Sequence, residues 1–155
     1  MIDDKILHQD GVKLFTIGFS GKSAEQFFKI IQKAKVKKVI DIRLIIVSQL
    51  AGFTKRDNLK FFLSAIAGIK YEHRHEMAPT QQLLDDYKKK IVDWLTYENK
   101  FKKIMIDRAI EDIMKPNDLD HACLLCSEQK ADQCHRRLVA EYLKMKWKKV
   151  YIQHL

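Results

Sequence analysis

The sequence predicts an α/β fold: a single domain on a mainly parallel sheet of about five strands, with helices on both faces. Three observations predict it. Short apolar runs alternate with amphipathic stretches in the order β-α-β-α-β-α-β-α-β. The chain has 155 residues, which suits one domain with a real core. It carries only 5 Gly and 2 Pro, too few for long irregular stretches.

Each element has a local reason. Leu14 to Ser20 is an apolar run reaching Gly18 and reads as the first strand. Ser23, with Gln26 three residues on, forms a capping-box pattern, and Phe27, Ile30, Ile31 and Ala34 line one face of the helix that follows. Lys38 to Arg43 is a buried strand with one acid, Asp41, inside it. Thr54 and Asp57 start a second helix with core face Leu59, Phe62, Leu63 and Ile66, closed by Gly68. Ile69 to His73 is a third strand. Pro79-Thr80 opens a long helical region in which Leu83, Leu84, Tyr87, Ile91, Trp94, Phe101, Ile104 and Met105 keep helical spacing. A break is expected near Tyr97 to Asn99, since one unbroken helix to Met114 would be unusually long. His121 to Cys126 is a fourth strand, Asp132 a cap for a helix through Leu138, Val139, Tyr142 and Leu143, and Val150 to Gln153 a last strand. The domain spans 1–155, with its core in 13–155 and residues 1–12 as a short extension.

Composition narrows the class. A chain of this length buries roughly 70% of its unfolded surface, so it needs no staples. Three Cys and an N-terminus without an apolar export core, Met1-Ile2-Asp3-Asp4-Lys5, predict free thiols in a reducing cytoplasm. No apolar run approaches the ~20 residues of a membrane helix. The formal net charge of +9 favours anionic partners, a small molecule or nucleic acid, although scattered Lys residues also make an ordinary solvated surface.

The polar residues fall in one place along the topology. Ligands of parallel sheets bind beyond the carboxyl ends of the strands. Those ends carry Ser20, then Asp41, Arg43 and Ser48, then Tyr71 and His73, then Cys126 and Glu128. The helix bearing Cys134, His135 and Arg136 starts from the same edge, and right-handed crossovers bring all of them to one rim. Arg, His, hydroxyls and helix N-terminal amides together suit phosphate or carboxylate. Ser20, Asp41, Arg43, Ser48, Tyr71 and Arg136 are therefore the candidate anion-binding residues. Asp41 and Arg43, two apart in a strand, point to one face; a buried ion pair that pins the sheet and Asp41 orienting Arg43 toward a ligand are compatible readings of them. Glu128 and His73 are candidate acid–base groups. Cys134, beside His135 in the first turn of a helix, is expected to have a depressed thiol pKa, with Cys126 as its companion. Cys123 and Cys126, three apart in a strand, face opposite sides, and Cys134 and His135 are adjacent, so no metal or other cofactor is expected.

These residues resemble a known family. Gly18-Phe19-Ser20, Asp41-Ile42-Arg43 with Ser48, Tyr71 with His73, and Cys126-Ser127-Glu128 followed by Cys134-His135-Arg136 are similar to family 488 of domains of unknown function, over about Leu14 to Leu143. The resemblance implies a fold and a site more than a reaction. Phe19 stands where many members have His or Tyr, and Val47 stands where many have Pro. Leu44-Ile45-Ile46-Val47 is apolar for a loop beside a polar site, which predicts either a hydrophobic lid or a self-association patch. The leading expectation is an enzyme acting on a phosphorylated, nucleotide-like or other anionic substrate at the rim. The alternatives are a non-catalytic nucleic-acid-binding module and a thiol-based redox or sulfur-transfer protein using Cys126 and Cys134.

Overall fold

The computed structural model describes residues 11–46 and 52–155. The strands are β1 (Val12–Gly18), β2 (Lys38–Asp41), β3 (Lys70–His73), β4 (Ala122–Cys126) and β5 (Val150–His154). The helices are α1 (Ala24–Lys33), α2 (Arg56–Ala67), α3 (Gln81–Lys88), α4 (Trp94–Asp107) and α5 (His135–Trp147). Every strand pairing is parallel, and the sheet order is β3-β2-β4-β1-β5. The α/β class and the five strands are those the sequence predicts.

Both faces of the sheet are covered, because the side chains alternate. Phe15, Ile17, Val39, Cys123 and Leu125 pack with Phe27, Phe28 and Ile31 of α1 and Leu59 and Leu63 of α2. Leu14, Ile40, Ala122, Leu124 and Cys126 pack on the other face with Leu83 of α3, Phe101 and Met105 of α4, and Leu138, Val139 and Leu143 of α5. The central strand β4, Ala122–Cys126, is apolar and buried throughout, as a strand covered on both sides must be, whereas the edge strands β3 and β5 carry polar, exposed positions.

The helix starts follow their caps where a cap is present. Ser23 Oγ accepts from the Gln26 N–H at 3.1 Å, and Gln26 Oε1 accepts from the Ser23 N–H at 2.9 Å, completing the capping box. Thr80 and Asp93 cap α3 and α4 by a single bond each, their side-chain oxygens accepting from the Leu83 and Thr96 N–H groups at 3.2 and 2.8 Å. Asp93 relocates the expected break. The chain leaves the helix after Lys88 and re-enters at Trp94, so α4 runs unbroken through Tyr97 to Asn99. Asp132 likewise caps nothing: α5 starts three residues later, with Cys134 at the capping position and no side-chain bond there.

Among the described residues no helix is long and apolar enough to cross a membrane. Leu44 is half-buried and Ile45 exposed, while Val47 and Ser48 lie outside the described residues.

Candidate functional site

The connection after β1 leads to α1 on one face, and the connection after β4 leads to α5 on the other. β1 and β4 are neighbours, with Gly18 opposite Cys126 at their ends. Their junction is the point where adjacent connections diverge, the position at which open parallel sheets form a crevice. The candidate residues reach this edge as two clusters, one on each face.

The first cluster is Asp41, Arg43 and Tyr71, on the α1/α2 side. Arg43 donates from Nε to Asp41 Oδ1 at 2.9 Å and from Nη2 to Asp41 Oδ2 at 2.7 Å. Nη2 also donates to the Thr54 carbonyl at 2.6 Å. Tyr71 donates its hydroxyl to Asp41 Oδ2 at 2.7 Å, and burial and the Asp41 charge push that phenol well above its ordinary range. The guanidinium lies over the Phe19 ring, 5.3 Å from its centroid, in a contact typical of Arg on an aromatic face. Arg43 is 3% exposed and Asp41 0%. This is the buried ion pair of the two readings open for Asp41 and Arg43. His73 Nε2 bonds the Arg43 carbonyl at 3.0 Å, which holds its ring beside the same turn.

The second cluster is Cys126, Cys134, His135 and Arg136, on the α5 side. Arg136 is 1% exposed and is spent on the chain itself. Its Nη1 donates to Cys126 Sγ at 3.3 Å, to Cys134 Sγ at 3.8 Å and to the Glu128 carbonyl. Its Nη2 donates to the Gln129 carbonyl at 3.2 Å and its Nε to Thr16 Oγ1 at 3.3 Å. Glu128 thus serves Arg136 through its backbone, while its side chain stays exposed. The loop folds closely over β1: a Cβ on Gly18 would meet the Glu128 oxygen at 1.6 Å. Only glycine allows this approach.

The thiols respond to that environment. Burial opposes ionisation of Cys126, but the Cys134 thiol, His135 and the Arg136 guanidinium outweigh it and bring it down to about 6. Cys134 moves the other way, held protonated by its hydrogen bond to Cys126 and by burial. The expectation of a depressed Cys134 is therefore corrected: of two adjacent thiols only one ionises easily, and the guanidinium lies nearer Cys126. Cys123 packs on the opposite face and is driven far up by burial. The Tyr97 phenol on α4 is also raised, by burial and by the two thiols.

The clusters meet at His135. Its Nε2 donates to the Ile42 carbonyl at 2.8 Å, tying the start of α5 to the turn after β2. The Cys126 and Cys134 sulfurs and a ring nitrogen of His135 lie within 4.8 Å of one another, a soft donor set that a thiophilic metal ion could use. Cys123 faces the other side of the sheet, as its spacing predicts, whereas Cys134 and His135 join Cys126 although they are adjacent in sequence. Cys134 has extended backbone (φ −137°, ψ 140°) and His135 is helical, so adjacent side chains converge. Arg136 already supplies a positive charge to both sulfurs, and a cation would have to displace it.

Among the described residues Arg43 and Arg136 do not share one surface: each guanidinium is buried, each faces a different side of the sheet, and each donates to acceptors of the chain. Ser20 is exposed and bonds Ser127 through its backbone N–H at 3.0 Å. Thr16, Lys22 and His154 were not candidates, yet they touch or face Arg136. Thr16 carried a readable signal: it is the one polar residue inside the run Leu14 to Ile17, and a buried hydroxyl needs a partner.

These features define a class: a parallel α/β domain whose sheet edge carries a buried thiol pair under an arginine. Residues 23–143 match the model of the family described as Domain of unknown function DUF488, and the chain belongs to that family. Neither a curated protein nor a solved structure matches it.

Proposed function

We propose that the protein is a thiol-dependent redox enzyme in which Cys126 is the nucleophile and Cys134 the resolving thiol. The observation that carries this reading is the Arg136 guanidinium 3.3 Å from Cys126 Sγ with the Cys134 thiol alongside. A positive charge and a donor thiol favour the thiolate, the nucleophilic form. The partner needed to close a disulfide is already within reach.

The substrate class follows from access. Cys126 is 1% exposed and Cys134 2%, beneath the 128–129 loop, so only a small electrophile fits. A hydroperoxide suits it. The Cys126 thiolate attacks one peroxide oxygen, the O–O bond breaks, and the leaving hydroxide or alkoxide takes a proton from water. Cys126 then carries a sulfenic acid. Cys134 attacks that sulfur, the S–S bond forms, and the hydroxyl leaves as water with the Cys134 proton.

Intact mass after mild peroxide treatment tests the reading. The wild type is expected to lose two hydrogens, with the bond mapped between Cys126 and Cys134. C134S is expected to gain one oxygen at Cys126, and C126S to stay unmodified at Cys134. A wild type that keeps its full mass while free cysteine in the same tube oxidises would rule the reading out.

A second reading places a small anion beside Lys22 at the end of β1, and the setting of its ammonium favours it. Its ammonium donates to the Gly18 carbonyl at 2.8 Å, and burial and Arg136 lower its pKa. A bound anion would relieve that repulsion. Calorimetry with inorganic phosphate should show binding that K22A abolishes; equal heats for the two proteins would discard it.

A further inference from the structure

Thr16 is the most deeply buried hydroxyl beside the thiol cluster, fully enclosed at the centre of the sheet. Two groups compete for its oxygen. Arg136 Nε donates to Oγ1 at 3.3 Å, and His154 Nδ1 on β5 lies 2.6 Å from it on the other side. A guanidinium can only donate, so Thr16 must accept from Arg136 and has its own proton left for His154. In the Nε2–H tautomer His154 accepts that proton at Nδ1. A chain of donors runs from the sheet edge inward: His154 fixes the Thr16 proton, Thr16 fixes Arg136 Nε, and Arg136 Nη1 faces the Cys126 sulfur.

Geometry makes Thr16 the anchor. Arg136 also donates to the two thiols it serves and to carbonyls of the 128–129 loop, which lies at the surface. Apart from Cys126 itself, Thr16 is the strand residue that bonds the guanidinium, and it is paired in register with Leu124 on one side and His154 on the other. Losing it would leave Nε buried and unpaired, and a planar group pivots to recover a partner.

We propose that Thr16 is a positioning residue for the Cys126 thiolate: polarised by His154, it holds Arg136 at the angle that keeps its Nη1 on the sulfur. The inference rests on the thiol reading above and names how that site is tuned. Other groups facing the sulfur pair are His135 on α5 and Tyr97 on α4; Lys22 and Glu128 act on Arg136 and Tyr97 respectively.

The test is the pH profile of the reaction of Cys126 with a small neutral disulfide, recorded on full-length protein in a C123S background. T16V keeps the shape of the side chain and removes both hydrogen bonds. Its midpoint is expected to rise by about one pH unit, with a correspondingly lower rate at neutral pH. T16S keeps the hydroxyl and is expected to restore the parent profile. H154A, a change at an exposed edge position, is expected to shift the midpoint in the same direction by less, which keeps the inference testable if T16V does not fold. A T16V profile that superimposes on a parent profile with a low midpoint overturns the role of Thr16 alone. A parent protein whose own midpoint sits in the ordinary thiol range overturns the thiolate reading, and this inference with it.

Discussion

Asp41 and Arg43 illustrate what a buried charge requires. Arg43 is satisfied by two carboxylate oxygens and a carbonyl, and Asp41 by Arg43 and the Tyr71 hydroxyl. Breaking one side of such a pair leaves an uncompensated charge in the core, at a cost of about 3–5 kcal/mol. D41N should therefore lower stability by that order in urea denaturation, and Y71F by about 1–3 kcal/mol, since it strips one acceptor of its partner. The pairing of Asp41 with Arg43 was legible because period-two spacing puts both on one face. Their saturation was not legible, since the Thr54 carbonyl comes from a distant segment. The same limit hid which thiol ionises. Sequence places Cys134 at a helix start, but the guanidinium that decides the matter, two residues on, folds back toward Cys126.

At the level of elements, caps and close approaches decide where the site residues stand. The Ser23–Gln26 box was readable and fixes the start of α1, and S23A should cost about 1 kcal/mol by thermal or urea unfolding. Asp93 was the missed signal in the α3–α4 region. It sits between two helical patterns of similar period, and periodicity alone marks no boundary there. Gly18 matters more to function. A methyl group at this position would strike the Glu128 carbonyl, so G18A should push the 128–129 loop away and release two of the acceptors that hold Arg136. The expected result is faster disulfide-probe access to Cys126 and a higher thiol midpoint in one variant. Unchanged access and midpoint would mean that the loop is not what covers the sulfur.

Across the whole molecule, the parallel order β3-β2-β4-β1-β5 was accessible only as a class. The alternation of elements predicts parallel strands, but no residue in β4 says that it inserts between β1 and β2. That insertion is what sets Cys126 beside Gly18 and His135 beside Ile42. It also separates the two arginines onto opposite faces, which strand-end logic cannot distinguish. Stability should record the thiol cluster as a pH dependence. Cys126 is a thiolate in the native state above about 6 and protonated in the unfolded chain until near its ordinary value of 9.0. Between these limits the unfolded state binds the extra proton, so stability should rise with pH and be lost as pH falls through the native value. Above the ordinary thiol range the slope should reverse, because native Cys134 and Cys123 stay protonated while their unfolded counterparts ionise. Urea denaturation across this span checks both limbs, and C126S should remove the rising one.

The most direct measurement is the carbon-13 shift of the Cys126 β-carbon across neutral pH in the reduced wild-type protein. A midpoint near 6, with Cys134 protonated throughout, is the predicted result. A Cys126 that remains a thiol up to the ordinary range, or a Cys134 that ionises first, would contradict the account.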